Sequence, residues 1–190
     1  MERVLIASGS EQASDVLVKL VREMYSGCRI SVALTSNDAK RSVASNEYDC
    51  VIINAPLKDS YGQELCEIVS ADTDAGCVFI AKAENCDVLW DEMEDLGVMI
   101  IPKPLSRTDF YRAMRFSNSA RNRMLGIRTE NFKLKKKLED IRLINRAKLA
   151  LMTYLGFTEK QAHRYIEKEA MDQRCTKAEI AEKVIRMYEV

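Results

Sequence analysis

Up to Phe110, short apolar runs alternate with amphipathic segments. Val4-Leu5-Ile6-Ala7, Ile30-Ser31-Val32-Ala33, Cys50-Val51-Ile52-Ile53, Cys77-Val78-Phe79-Ile80 and Val98-Met99-Ile100-Ile101 read as strands. The unbroken apolar character of the third predicts that helices cover both of its faces, because a strand with one face in water alternates instead. Between these runs the spacing predicts helices from Gln12 to Met24, Asp38 to Ser45, Gly62 to Val69 and Asp87 to Leu96, with another starting at Ser106. Val16, Leu17, Leu20 and Val21 fall on one face of the first helix. Five strand–helix units in this order predict a doubly wound α/β domain with a five-stranded parallel sheet, in which ligand chemistry sits beyond the carboxyl ends of the strands.

The last of these helices meets no breaker. From Ser117 to Lys148 a heptad pattern places Ser117, Met124, Asn131, Leu138 and Asn145 at a, and Ala120, Ile127, Leu134, Ile141 and Lys148 at d. The apolar seam is continuous from Met124 to Ile141, and Asn131 at an a position favours a single register in a two-stranded coiled coil. Met124, Ile127, Asn131, Leu134, Leu138 and Ile141 are therefore the expected dimerisation residues, against the alternative of one long helix packing on its own chain.

A small three-helix bundle follows. Ile144, Ala147, Leu151 and Leu155 recur at helical spacing in its first helix, with Met152 beside them, and Gly156 is placed to end that helix in a left-handed cap. Thr158 with Gln161, and Thr176 with Glu179, carry capping-box spacing. The second helix turns Ala162, Tyr165, Ile166 and Ala170 inward, and the third Ile180, Ala181, Val184, Ile185 and Tyr188.

Charge sharpens this division. The 29 basic and 29 acidic residues cancel overall, but residues 1–109 hold 10 basic and 19 acidic side chains, leaving 19 and 10 for residues 110–190. A C-terminal part of net charge +9 suits an anionic partner such as nucleic acid. Cys28, Cys50, Cys66, Cys77, Cys86 and Cys175 include no CxxC pair, and His163 is the one histidine. Reduced thiols in or near the core are expected, with no metal and no cofactor. Neither a signal peptide nor an apolar run of membrane-spanning length is read, so a cytoplasmic protein is expected.

The segment Tyr48 to Gly62 resembles a response-regulator receiver domain over roughly residues 1–115: an apolar strand, Leu57 three residues past the acceptor position, Gly62 eight past it. Ile101-Pro102-Lys103-Pro104 is similar to the Lys-Pro that ends the fifth strand of that family. The acceptor position, however, is Asn54, and an amide cannot form an acyl phosphate. The family's acidic pair after the first strand, which holds Mg²⁺ through oxygen ligands, is replaced by Ser8-Gly9-Ser10-Glu11. The usual hydroxyl at the end of the fourth strand is replaced within Ala81-Lys82-Ala83. What the resemblance implies is a pseudo-receiver controlled by a protein or ligand rather than by phosphorylation, its pocket formed by Asn54 and Lys103, with Lys82 placed to hold its ammonium where a metal would otherwise sit. A domain that serves only as a scaffold for dimerisation is the alternative.

The segment Arg142 to Ala162, with Ile144, Ala147, Lys148, Leu151, Met152 and Ala162 at matching positions, resembles the ANTAR domain over residues 135–188. Leu149 stands where a glycine is common, and Glu167-Lys168-Glu169 is more acidic than the arginine-rich segment often found there. This resemblance implies a transcription antiterminator that binds hairpins in nascent leader transcripts, with Arg146, Lys148, Arg164, Tyr165, Lys168, Arg174 and Lys177 as RNA-binding residues. Together with the heptad seam it gives an organisation of pseudo-receiver (1–115), coiled-coil dimerisation helix (116–143) and RNA-binding three-helix domain (144–190), in a homodimer whose two modules could engage two hairpins together. No catalytic group is expected: no carboxylate pair, Cys–His arrangement or phosphate-cradling glycine loop is present. A DNA-binding response regulator and a protein-interaction adaptor are the competing readings.

Overall fold

A computed structural model describes residues 1–188. Five parallel strands, β1 (Arg3–Ser8), β2 (Arg29–Ala33), β3 (Cys50–Asn54), β4 (Gly76–Lys82) and β5 (Met99–Lys103), form one sheet in the order β2-β1-β3-β4-β5. Helices α1 (Glu11–Met24), α2 (Ser36–Ser45), α3 (Gln63–Asp72) and α4 (Cys86–Met93) connect them, and α5 (Arg107–Leu155) follows β5. This is the doubly wound arrangement expected from the apolar runs.

Alternate strand residues feed the two sides of the sheet. Leu5, Val51, Ile53 and Phe79 pack with Ala39 of α2, Leu65, Cys66 and Val69 of α3, and Leu89 and Met93 of α4. Val4, Ile6, Ile52 and Val78 pack with Leu17 and Val21 of α1 and Phe110, Ala113 and Met114 of α5. Phe79 is wholly buried, and its truncation to alanine would cost about 3–5 kcal/mol. Across α3 and β4 the Sγ atoms of Cys66 and Cys77 lie 3.5 Å apart, both buried.

Several expectations are revised. Val16 is 53% exposed, because α1 turns only Leu17 and Val21 fully onto the sheet and leaves Val16 at the margin. The fourth helix ends at Met93 and passes through a 3-10 turn, Glu94–Leu96, to Gly97, whose φ of 66° needs no side chain. Ser117 is no seam position. It is buried against Gly76, where an added Cβ would lie 2.1 Å from Ser117 Oγ. One turn on, Arg121 pairs with Asp49 at 2.9 Å and donates to the Asp74 carbonyl at 2.9 Å. The other oxygen of Asp49 accepts the Glu2 and Arg3 N–H groups. Burial raises the Asp49 pKa, but these two N–H groups and the Arg121 guanidinium outweigh it and hold the carboxyl below its ordinary value.

Contacts divide the chain into two compact units, Met1–Gly126 and Ile127–Val190. In the second, Ala147, Ala150 and Leu151 of α5 pack with Ala162, Ile166 and Ala170 of α6 (Glu159–Asp172) and Ile180, Ala181 and Val184 of α7 (Lys177–Tyr188). Helix α5 ends as expected at Gly156, with φ 68°. Both capping boxes form: Thr158 and Gln161 exchange bonds at 2.8 and 3.3 Å, Thr176 and Glu179 at 2.8 and 3.2 Å. Between α6 and α7 the Cys175 N–H reaches back to the Ala170 carbonyl, and Arg174 sits in the left-handed region at φ 51°. That is a Schellman turn with arginine where glycine is usual. Tyr165 and Leu155 are not inward. Both are exposed, and Tyr165 rests edge-on against Phe157 at a centroid distance of 6.0 Å. Glu189 and Val190, included in the expected C-terminal domain, lie outside the described residues.

Candidate functional site

The strand register gathers chemistry at the carboxyl edge of the sheet. Ser8 is level with Asn54, Asn54 with Ile80, and Lys82 with Lys103. Asn54 is buried at 8% exposure, and its Nδ2 donates to Ser8 Oγ at 2.9 Å. Lys103 Nζ donates to the Ala55 carbonyl at 2.6 Å, while burial first, and the charge of Lys82 second, push its pKa down. Lys82 itself is exposed, with its ammonium 3.4 Å from Glu84. Ala81, one residue before it, is wholly buried and has no hydroxyl to offer.

This edge does not fit the magnesium ion that a phosphorylatable receiver uses. A hard divalent cation wants several oxygen ligands, carboxylates foremost, and the residues here are Ser8, Gly9 and Asn54. The space is also taken: a Cβ at Gly9 would meet the Pro56 carbonyl oxygen at 2.7 Å and the backbone of Leu57 and Lys58 at 3.1 and 3.2 Å. The loop after β3 therefore packs directly on the loop after β1. Among the described residues, no group of three or more His, Cys, Asp or Glu is arranged to hold a metal ion. Beside Asn54 and Lys103 opens a cavity of 330 Å³ whose other walls are Ala13, Val16, Leu17, Ile80, Pro104 and Leu105.

In the C-terminal unit, a second concavity of 290 Å³ is lined by Phe157, Gln161, Arg164, Tyr165 and Lys168. It brings together three of the expected RNA-binding residues, Arg164, Tyr165 and Lys168, on consecutive turns of α6. The other four are differently placed. Lys148 is largely covered and pairs with Glu159 at 2.9 Å, so its charge is already matched. Lys177 is bound to Glu167, which also faces His163 at 3.3 Å. Arg174 stands exposed on its left-handed turn, and Arg146 is exposed on α5. On the middle of α5, Met124, Ile127, Leu134, Leu138 and Ile141 are each at least 45% exposed, with Asn131 exposed among them.

Phe157 and Gln161 were not among the expected site residues. Phe157 follows the helix-ending glycine and reads as a turn anchor, and Gln161 was assigned only to its cap. An aromatic residue directly before a helix whose outer face carries Arg-Tyr-x-x-Lys was the available signal. Val16 and Leu105 line the cavity beside Asn54 and were likewise unassigned, because apolar residues at helix and loop margins carry no chemical signature.

No helix among the described residues is long and apolar enough to cross a membrane. Residues 133–185 match the ANTAR domain family. The chain is 28% identical over 185 residues to the transcriptional regulatory protein PdtaR of Mycobacterium tuberculosis, covering 96% of this chain and 89% of that protein. Among solved structures, the non-phosphorylated HemR receiver domain of Leptospira biflexa is 25% identical, covering 63% of this chain and 95% of that one, with a TM-score of 0.53. The signal receiver domain of an HD domain-containing protein from Pseudomonas fluorescens is 16% identical, covering 66% and 92%, with a TM-score of 0.57. The latter likeness is one of fold.

Proposed function

We propose, from the premise that this chain carries an ANTAR domain behind a domain of receiver fold, that it is a transcription antiterminator which binds hairpins in nascent leader transcripts and is controlled without phosphorylation. The observation that carries the reading is the concavity on α6. The exposed Tyr165 ring, the half-buried Phe157 ring, an amide and two cations line it together, within the residues that match the ANTAR family. Sequence-specific RNA recognition targets loops, whose unstacked bases lie on aromatic or arginine faces while cations hold the phosphates. Phe157 and Tyr165 supply the faces, Gln161 an edge partner, and Arg164 and Lys168 the charge, with Arg174 and Arg146 extending the basic surface. Lys148 and Lys177, each already paired with a glutamate, contribute less.

The exposed seam from Met124 to Ile141 supports a homodimer. Five apolar side chains left in water on one helical stripe gain a partner when a second copy lies alongside, and two linked modules raise the apparent affinity for paired hairpins without new contacts. Residues 1–115, 116–143 and 144–190 then act as control, dimerisation and RNA-binding segments. Control without phosphorylation follows from an amide at position 54 and a pocket edge that offers magnesium no carboxylate.

Gel shifts of the full chain on a two-hairpin leader RNA and on duplex DNA, over a salt series, test the proposal. Binding of the RNA, weakening with salt and lost in Tyr165→Ala with Arg164→Ala, is expected. Preference for duplex DNA would make it a DNA-binding regulator, and binding of neither would leave an adaptor.

A further inference from the structure

The cavity beside Asn54 has a composition that specifies an occupant. Its walls are hydrocarbon: Leu17 and Ile80 are buried at its base, Val16 is half exposed at its rim, and Pro104 and Leu105 close the side toward α5. Lys103 is its one charged lining residue. Among the described residues no carboxylate lines it, and Lys103 Nζ is held by a neutral acceptor, the Ala55 carbonyl. Its strand neighbour Lys82 adds a second positive charge and keeps its own glutamate, Glu84. A partly desolvated cation without a counter-charge is unfavourable, and the imbalance is relieved when an anion approaches. The downward push on the Lys103 pKa by burial and by Lys82 agrees with that imbalance.

We propose that this cavity binds a small carboxylate with an apolar body, the carboxylate on Lys103 and the Asn54 amide edge, the hydrocarbon against Val16, Leu17, Ile80 and Leu105. Three features select against other occupants. A phosphate or acetate ion leaves the apolar walls in water. An apolar amine meets Lys103 with like charge. A small ligand suits the site best, since 330 Å³ is near the lower limit for ligand pockets. The site lies at the carboxyl ends of β3, β4 and β5, against α1 and the β5–α5 loop, so an occupant would tighten the seating of that helix and loop on the sheet. The inference rests on the reading of this domain as one controlled without phosphorylation.

The test is calorimetric titration of the full chain with hexanoate, with hexylamine as the same body carrying the opposite charge and acetate as the anion without the body. Hexanoate is expected to bind with Kd below about 1 mM, at least tenfold tighter than either comparison. Lys103→Met should abolish binding and Lys103→Arg should keep most of it. Leu105→Trp, which fills the cavity but leaves the charge, should also abolish it. Equal binding of hexylamine, or no heat with hexanoate at concentrations well above that Kd, overturns the proposal and needs no variant to interpret. A parallel incubation of the wild-type chain with acetyl phosphate and magnesium separates the two ideas. A phosphoryl adduct by intact mass would overturn the underlying reading, whereas absent hexanoate binding with no adduct overturns the ligand alone.

Discussion

Replacing Arg174 with glycine separates fold from function in the C-terminal unit. Arg174 occupies the left-handed turn between α6 and α7 at φ 51°, with the Cys175 N–H bonded to the Ala170 carbonyl behind it. Holding an L-residue there costs about 1–2 kcal/mol. Glycine removes that cost but enlarges the unfolded ensemble by about 0.4–1 kcal/mol. The balance favours the variant by about 0.5–1 kcal/mol. For a small helical unit this raises the melting temperature by roughly 4–8 °C per kcal/mol, measurable by far-UV circular dichroism. If Arg174 contacts a phosphate, the same variant binds hairpin RNA more weakly, and its log–log salt slope falls by about 0.9. A residue that strains its own turn yet strengthens binding would thus become more stable and less active on mutation. A lower melting temperature would refute the strain argument, and unchanged affinity and slope would remove Arg174 from the RNA surface.

Four further outcomes are expected. Asp49→Asn should cost about 1–3 kcal/mol near neutral pH, because it weakens the acceptor for two N–H groups and Arg121. Since the folded pKa of Asp49 is depressed, its contribution is present above the unfolded value and lost as pH falls through the folded one. The gap between variant and wild type should therefore close below about pH 4, and a pH-independent gap in urea melts would contradict this. Gly126→Ala should stabilise α5 by about 0.5–1 kcal/mol, since a Cβ there meets nothing within 4 Å; thermal melts report it, and a loss of stability would mean that something does cover that position. Asn54→Asp should remain unlabelled by acetyl phosphate in magnesium, and substantial labelling would show that the pocket binds the ion after all. Ile127→Asp with Leu134→Asp should convert a dimer to a monomer in sedimentation equilibrium, and a wild-type monomer would dispose of the seam.

The sheet was legible because fully buried parallel strands read as unbroken apolar runs, as Cys50-Val51-Ile52-Ile53 does within a strand buried over its whole length. Asn54 and Lys103 were legible because each follows a run whose end the pattern locates. Helix faces were less so. The apolar stripe of α1 correctly named Leu17 and Val21 but also took in Val16, since periodicity gives a face and not how far its neighbours extend to cover it. Tyr165 was misplaced for a related reason: α6 turns Ala162, Ile166 and Ala170 into the three-helix core, and Tyr165 falls at the edge of that stripe. The Asp49–Arg121 pair and the approach of Gly9 to Pro56 had no sequence signal, because each joins segments distant along the chain through the closing of the fold.

The facing thiols of Cys66 and Cys77 make the N-terminal unit its own reporter. Each sulfur is sealed among aliphatic neighbours, and the Cys66 contact first, then burial, raises the Cys77 pKa far above that of a free thiol. Alkylating reagents attack thiolates and need access, so neither group reacts while the sheet is closed. Their rate of modification in a timed pulse, read by peptide mass, is then set by how often this half of the chain opens, and it can be followed in the presence of RNA, with the partly exposed Cys175 of the other half resolved as a separate peptide.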